Sequence, residues 1–87
     1  MTISREEFLR SLPGAVADVP FEVAGGVIRH RGTDRSWRIE LEPLRDLALG
    51  ALALPRHRVV VHLEGYDVTA ARRWLERFEL HYRRGGG

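Results

Sequence analysis

The chain carries four histidines, the residue type that most often binds zinc or acts as a general acid or base near neutral pH. His30 follows Ile28 by two positions on a predicted strand and so shares its apolar face, whereas His62 takes the polar face of a later strand. His57 is expected in a turn and His81 on the last helix. No pair has the spacing of ligands on one helix turn. We therefore predict no metal site and no cofactor.

Four arginines on the predicted strands are the strongest candidates for binding a ligand: Arg29, Arg31, Arg38 and Arg58. If Trp37 faces the core, Arg38 points outward, and Arg29 and Arg31 are expected beside it on the neighbouring strand. Arg58 is expected to join them from the following strand. Guanidinium groups clustered in this way can hold phosphate or carboxylate oxygens by paired hydrogen bonds. The pattern predicts an anion-binding sheet face as one hypothesis.

The same face is expected to carry the carboxylates of Glu40, Glu42 and Glu64, which would offset the arginines as cross-strand ion pairs. A sheet that reads RNA also presents exposed aromatic rings for base stacking, whereas Trp37 shares the core side of its strand. All 14 basic residues are arginine, but the net charge is only +2. Nucleic acid is therefore the less favoured partner.

Catalytic signatures are missing from the sequence. There is no cysteine to act as a nucleophile. There is no Gly-x-Ser-x-Gly elbow and no Ser/His/Asp order, and Gly25-Gly26 alone does not make a phosphate loop. Glu40 and Glu42 are expected on one solvated strand face flanked by arginines, a setting that does not favour acid–base catalysis. The sequence favours a binding protein over an enzyme without deciding the question.

Two residues of the last helix are candidates for an interface. Trp74 lies at the flank of the predicted apolar stripe, where a tryptophan is either a lid on the core or an anchor for a partner. Leu80 is expected on the opposite, charged side. An exposed edge strand would offer a further surface, because its unpaired backbone groups are a template for a second copy.

The pattern of the first half predicts a helix and three strands. Ser4-Arg5-Glu6-Glu7 fits a capping box, so a helix over 5–12 is expected to end at Pro13-Gly14. Runs at 21–24 and 27–31 flank Gly25-Gly26 and predict a two-residue hairpin or, alternatively, a bulge. The run 36–42 alternates strictly, which places Trp37, Ile39 and Leu41 in the core, and Pro43 is expected to stop it.

The second half is less clear. Residues 44–54 fit both helical spacing and a bulged strand; we favour a strand over 49–54, with a turn at 55–57. The β-branched run 58–63 predicts a central strand. Asp67 is a good N-cap for a last helix, whose apolar stripe is Val68, Ala71, Leu75, Phe78 and Tyr82.

These elements predict an α+β fold of order α-β-β-β-β-α, in which a four-stranded antiparallel sheet carries both helices on one face. We expect one globular domain over residues 1–84 and a flexible glycine tail over 85–87. No secretory signal pattern and no run of roughly 20 apolar residues occurs, so a cytoplasmic protein that does not bind membranes is expected.

Two functional hypotheses follow from the sequence. The first is a small non-catalytic binding or accessory module that acts through a protein partner or as a homodimer, by an edge strand or the Trp74/Leu80 side of the last helix. The second is an anion or nucleic-acid binder that uses Arg29, Arg31, Arg38 and Arg58.

Overall fold

A computed structural model of the protein describes residues 1–86, with side chains through Arg83. Its elements follow the predicted order α-β-β-β-β-α: α1 (Arg5–Ala15), β1 (Glu22–Ala24), β2 (Val27–Arg31), β3 (Ser36–Leu49), β4 (Leu52–Glu64) and α2 (Val68–Gly86). The strands form one antiparallel sheet in the order β1-β2-β3-β4. The α+β fold class is therefore confirmed.

Helix α1 begins as its sequence predicts and ends later. The Ser4 hydroxyl accepts a hydrogen bond from the backbone N–H of Glu7 at 3.2 Å, which satisfies one free donor of the first turn. The prediction that Pro13-Gly14 ends the helix is wrong, because α1 continues through Pro13 to Ala15. Proline removes one ladder hydrogen bond, but α1 continues for only two residues beyond it, and Ala15 and Val16 are buried in the core.

The first hairpin confirms its prediction. Ala24 pairs with Val27 across Gly25 and Gly26, and Gly25 has φ of +61°, a backbone conformation that glycine adopts without strain. Gly26 also needs to be small, because a Cβ there would lie 2.8 Å from the carbonyl oxygen of Leu41.

Strand β3 does not stop at Pro43, so that prediction is wrong. The N–H of Leu41 donates to the carbonyl of Gly26 at 2.7 Å, toward the β2 side of the strand. The nitrogen of Pro43 faces the same side two residues later, beyond the last β2–β3 pair, Val27 with Glu40. No N–H is required at that position, which is the edge setting where sheets tolerate proline.

The turn between β3 and β4 lies at Gly50-Ala51, not at the predicted 55–57. Leu49 pairs with Leu52 across it, and Gly50 has φ of +59°. Residues 44–54 are therefore the end of one strand and the start of the next, not a helix and not a single strand. Pro55 occupies a bulge, opposite Arg45 and Asp46, where its missing N–H again costs little.

Strand β4 is an edge strand, which corrects the prediction of a central position; β2 and β3 are the inner strands. His57, expected in a turn, lies within β4 opposite Pro43. The run Val59-Val60-Val61 looks like a strand covered on both faces, but Val59 and Val61 pack against the core while Val60 alternates to the other face.

Helix α2 begins at the predicted cap, since Asp67 Oδ1 accepts the N–H of Ala70 at 2.7 Å. Its buried side differs from the predicted stripe. Phe78 and Tyr82 are buried and Trp74 packs half-buried beside them, whereas Val68 and Leu75 are 74% and 39% exposed. Helical spacing alone did not show whether Trp74 or Leu75 faces the core.

The core lies between the helices and one face of the sheet. Its buried residues are Ile3, Phe8, Leu12, Ala15, Val16, Ile28, Trp37, Ile39, Leu41, Phe78 and Tyr82, and no polar residue is buried among those whose exposure is described, apart from the hydroxyl-bearing Tyr82. Aromatic rings connect its parts: Phe8 stacks on Tyr82 with centroids 4.7 Å apart, and Phe78 stacks on Trp74 at 5.2 Å.

Beyond Pro43, β3 and β4 pair only with each other. We call this two-stranded ribbon, residues 44–54, the arm, and the remainder of the described chain the body. The molecule measures 47 × 25 × 19 Å along its principal axes. The flexible tail predicted at 85–87 overlaps the end of α2 and Gly87, which lies outside the described residues, and it stays a prediction.

Candidate functional site

The sheet face turned away from the helices, which we call the outer face, brings three of the four candidate arginines together. Arg29 lies directly opposite Arg38, and Arg38 lies directly opposite His62 on the next strand. Arg31 and Ser36 form the adjacent row. With Glu64 these side chains line a surface cavity of about 150 Å³, which we call the arginine cavity. The predicted neighbourhood of Arg29, Arg31 and Arg38 is therefore what the structure shows.

Arg58 does not line this cavity. It lies opposite Glu42 further along β4, with Nη1 3.9 Å from Oε2 of Glu42. Both side chains are largely exposed, so this contact contributes little to stability. The expectation that Arg58 joins the other arginines is wrong, because the turn at Gly50-Ala51 sets a register that moves Arg58 away from them.

Glu64 lines the arginine cavity, and Glu40 is the carboxylate closest to its Arg38 and His62 side chains. Glu40 Oε1 lies 3.4 Å from Arg38 Nε and 3.2 Å from His62 Nε2. These approaches lie outside hydrogen-bond geometry, and both nitrogens are shielded from solvent without a hydrogen-bond partner among the described residues. Arg29 and Arg31 make no ion pair with any carboxylate in the described part of the chain. The cavity therefore keeps positive charge and unused N–H donors.

A second surface is the free edge of β4. Glu42, Glu40 and Arg38 direct their backbone groups toward β4, because the N–H of Leu41 points the other way, toward β2. Their partners in β4 are the even-numbered residues 58, 60 and 62. The odd-numbered residues Val59, Val61 and Leu63 therefore turn their N–H and C=O groups outward, and within residues 1–86 no strand pairs with them.

The same edge is closed at one end by the first residues of the chain. His57 N–H donates to the carbonyl of Met1 at 2.8 Å, and the Met1 amino group donates to the His57 carbonyl at 2.8 Å. The His57 ring nitrogen Nδ1 also lies 2.8 Å from the Ile3 carbonyl oxygen. These contacts direct residues 1–3 away from Val59. At the other end, Gly65 with φ of +79° turns the chain out of the sheet. The free edge thus covers residues 59–63.

Trp74 and Leu80, the two interface candidates of the last helix, have different surroundings. Trp74 is half-buried, stacked on Phe78 and 5.9 Å from the ring of Trp37, as a lid on the core would be. Leu80 is 55% exposed, which is ordinary for a single leucine. The structure does not join them into one patch, and their role in an interface stays a prediction.

A cleft beside Trp74 was not found from the sequence. It measures about 420 Å³, and its lining comes from the α1–β1 connection, the β2–β3 turn and the start of α2. Two of its three arginines are already engaged: Arg35 lies 5.1 Å from the Tyr66 ring centre, and Arg77 Nε donates to the Gly14 carbonyl at 3.0 Å. Burial raises the pKa of Tyr66 and the nearby Arg35 partly opposes it. No local sequence signal brings these segments together.

The arm exposes apolar side chains. Leu49 pairs with Leu52 and Leu47 with Leu54, so one side of the ribbon carries four leucines. Leu49 and Leu52 are 53% and 64% exposed. An apolar ribbon of this kind is a second surface to which a protein could bind.

His30 and His62 both border the arginine cavity, from opposite sides of the sheet, and His57 and His81 lie elsewhere. His30 is on the helix-facing side of the sheet with Nδ1 2.7 Å from the Pro20 carbonyl oxygen, and His62 is on the outer face. His81 Nδ1 lies 2.9 Å from the Arg77 carbonyl oxygen on α2. Among residues 1–86, no three metal-ligating side chains of histidine or carboxylate type come together. No helix in this range is long and apolar enough to cross a membrane.

Comparison of the chain with protein families, with curated proteins and with solved structures finds no match. The functional argument therefore rests on the geometry of the free edge, the arginine cavity and the arm.

Proposed function

We propose that the protein is a small binding module that assembles with a second copy of itself through the free edge of β4. The observation that carries this proposal is the run of outward backbone groups over residues 59–63, bounded by His57 and Gly65. Unpaired strand edges readily add another strand, since every N–H and C=O then gains a partner.

The edge is complementary to itself in one register. If two copies of β4 pair antiparallel about a two-fold axis at Val61, Val59 of one copy lies opposite Leu63 of the other. Arg58 then lies opposite Glu64 of the second copy, and Glu64 opposite its Arg58. Each of the two ends of the edge gains a pair of opposite charges on the outer face.

The same register keeps the apolar side chains of both copies on one face of the extended sheet and the paired charges on the other. Val59, Val61 and Leu63 keep their side chains on the helix-facing side, where they are half-buried in the single chain. The two-fold axis is perpendicular to the sheet, so both pairs of helices cover the same face of an eight-stranded sheet. Five residues per copy make a small interface, and we expect an association of about micromolar strength.

Sedimentation velocity over a concentration series tests the proposal. We expect a monomer–dimer equilibrium for the unaltered chain. Arg58→Glu should weaken the dimer by more than about tenfold, because two exposed pairs worth roughly 0.5 kcal/mol each become repulsions. The double variant Arg58→Glu/Glu64→Arg should restore dimerisation, because it swaps the charges and keeps them opposite.

The control is Arg10→Glu, which changes the net charge equally at an exposed position of α1. It should leave the dimer unchanged. A chain that stays monomeric throughout the series would overturn the proposal. A dimer that survives Arg58→Glu but dissociates in Leu52→Arg would place the contact on the arm instead.

A further inference from the structure

We infer that the arginine cavity binds a single phosphate group carried by a small molecule. This inference does not require the proposed dimer: Arg29, Arg31 and Arg38 lie on the inner strands β2 and β3, and only His62 and Glu64 of the cavity lining come from β4. It narrows the predicted anion-binding face to one cavity and one class of ligand.

The placement of the arginines is unfavourable without a ligand. Arg29 and Arg38 are directly opposed across neighbouring strands, where like charges destabilise a sheet. His62 follows in the same row and supplies no negative charge to offset them. Glu40 approaches Arg38 and His62, whereas Glu22 opposite Arg29 and Glu64 in the cavity wall make no ion pair with Arg29 or Arg31 among the described residues. An anion between these side chains would remove the repulsion.

The available donors suit a phosphate. A guanidinium group presents parallel N–H donors that match two phosphate oxygens at once. Arg29, Arg31 and Arg38 converge on the cavity with the Ser36 hydroxyl in the adjacent row. Arg38 Nε makes no hydrogen bond in residues 1–86 and lies 3.4 Å from Glu40 Oε1, so a phosphate oxygen would compete there with a single carboxylate contact.

The surroundings limit the ligand to one phosphate. The cavity holds about 150 Å³ and Glu64 forms part of its wall, which would repel a second phosphate. Glu40 and Glu42 interrupt the positive charge further along the outer face. No phenylalanine, tyrosine or tryptophan of the described strands faces outward to stack on a base. These features favour a small phosphate ester over a nucleic-acid strand.

Two-dimensional NMR of the full chain tests this inference with inorganic phosphate and glycerol 3-phosphate as probes. We expect saturable shifts of the Nε–H signals of Arg29, Arg31 and Arg38, with dissociation constants of about millimolar order. Arg38→Gln should weaken binding about tenfold, because one charge-assisted contact is lost. Arg10→Gln, at an exposed position of α1 outside both the cavity and the free edge, is the control and should leave the affinity unchanged.

Arg29→Lys supplies a variant that keeps the charge and the fold but loses the guanidinium fork, and it should weaken binding several-fold. Absence of shifts with both probes would overturn the inference, as would equal weakening by Arg38→Gln and Arg10→Gln. A titration with mixed-sequence single-stranded RNA completes the test. Binding that is much tighter than to phosphate and also depends on Arg58 would identify a nucleic-acid surface and overturn the small-molecule assignment.

Discussion

The same two strands pass through two environments. In the body, β3 places Ile39 fully under the helices, and Val61 opposite it packs against the same core. In the arm, Leu49 pairs with Leu52 just as regularly, yet Leu49 is 53% exposed and Leu52 is 64% exposed. The paired strands continue from the body into the arm, whereas the helices cover only the body.

This difference separates what forms a strand from what stabilises it. In the arm, the turn at Gly50-Ala51 and the cross-strand leucine pairs are sufficient to specify a hairpin. They bury little surface, so they add little free energy, since the hydrophobic contribution scales with the area removed from water. In the body, the same pairing is stabilised by helices that cover one face. The comparison predicts that equal substitutions will have very different costs in the two regions.

The largest effect is expected where a leucine is fully covered. Leu12 on α1 is 0% exposed, and Leu12→Ala should lower the free energy of unfolding by about 2–5 kcal/mol through lost contacts and a cavity. Urea denaturation followed by circular dichroism measures this change.

A domain of this size has limited stability, so Leu12→Ala could be unfolded without urea. Leu12→Met keeps the volume and should cost less than about 1.5 kcal/mol, which leaves a measurable transition. If Leu12→Ala lowered the free energy of unfolding by less than Leu12→Met does, the packing of α1 described above would be contradicted.

A smaller effect is expected from the hydroxyl of Tyr82, which donates to the Phe8 carbonyl at 2.7 Å inside the core. Tyr82→Phe should cost about 1 kcal/mol near neutral pH, because one buried hydrogen bond is lost while the ring stacking is kept. Urea denaturation of both proteins measures the difference.

The pH dependence sharpens this prediction. Burial raises the pKa of Tyr82 above its ordinary value of 10.0, so the folded state holds the proton more tightly than the unfolded chain. The stabilisation is complete below pH 10 and is lost as the pH rises beyond it, because only the unfolded chain ionises. The advantage of the unaltered chain over Tyr82→Phe should therefore shrink above pH 10. A constant difference from neutral to alkaline pH would contradict the buried hydroxyl.

The elements that depend on a few neighbouring residues were predictable from the sequence. The caps at Ser4 and Asp67 and the Gly25-Gly26 hairpin follow from side chains and turn chemistry within four residues. The alternation of 36–42 also placed the core residues of β3 correctly. The effect of the prolines was predicted wrongly. A sheet tolerates Pro43 because of the strand edge that it occupies and Pro55 because it lies in a bulge, and the pairing of the whole sheet determines both positions.

The candidate site was predictable to the same extent. Alternation placed Arg29, Arg31 and Arg38 on the outer face, because their strands are joined by short turns that fix the register. Arg58 was misplaced because its register is counted from Gly50, beyond a bulge that shifts the pairing by one residue. The free edge of β4 and the cleft beside Trp74 depend on strand order and helix packing, which no local pattern contains.

The smallest effect is expected in the arm, and it completes the comparison with α1. Leu52→Ala makes the same chemical change as Leu12→Ala at a residue that is 64% exposed. Its cost in the free energy of unfolding should stay within about 0.5 kcal/mol, because little apolar area is removed from water on folding. Urea denaturation of the two variants side by side shows how much stability comes from burial under the helices and how much from strand pairing alone. A cost for Leu52→Ala that depends on protein concentration would mean that the arm is covered by another molecule in solution, and would transfer the contact proposed for the free edge to the leucines of the arm.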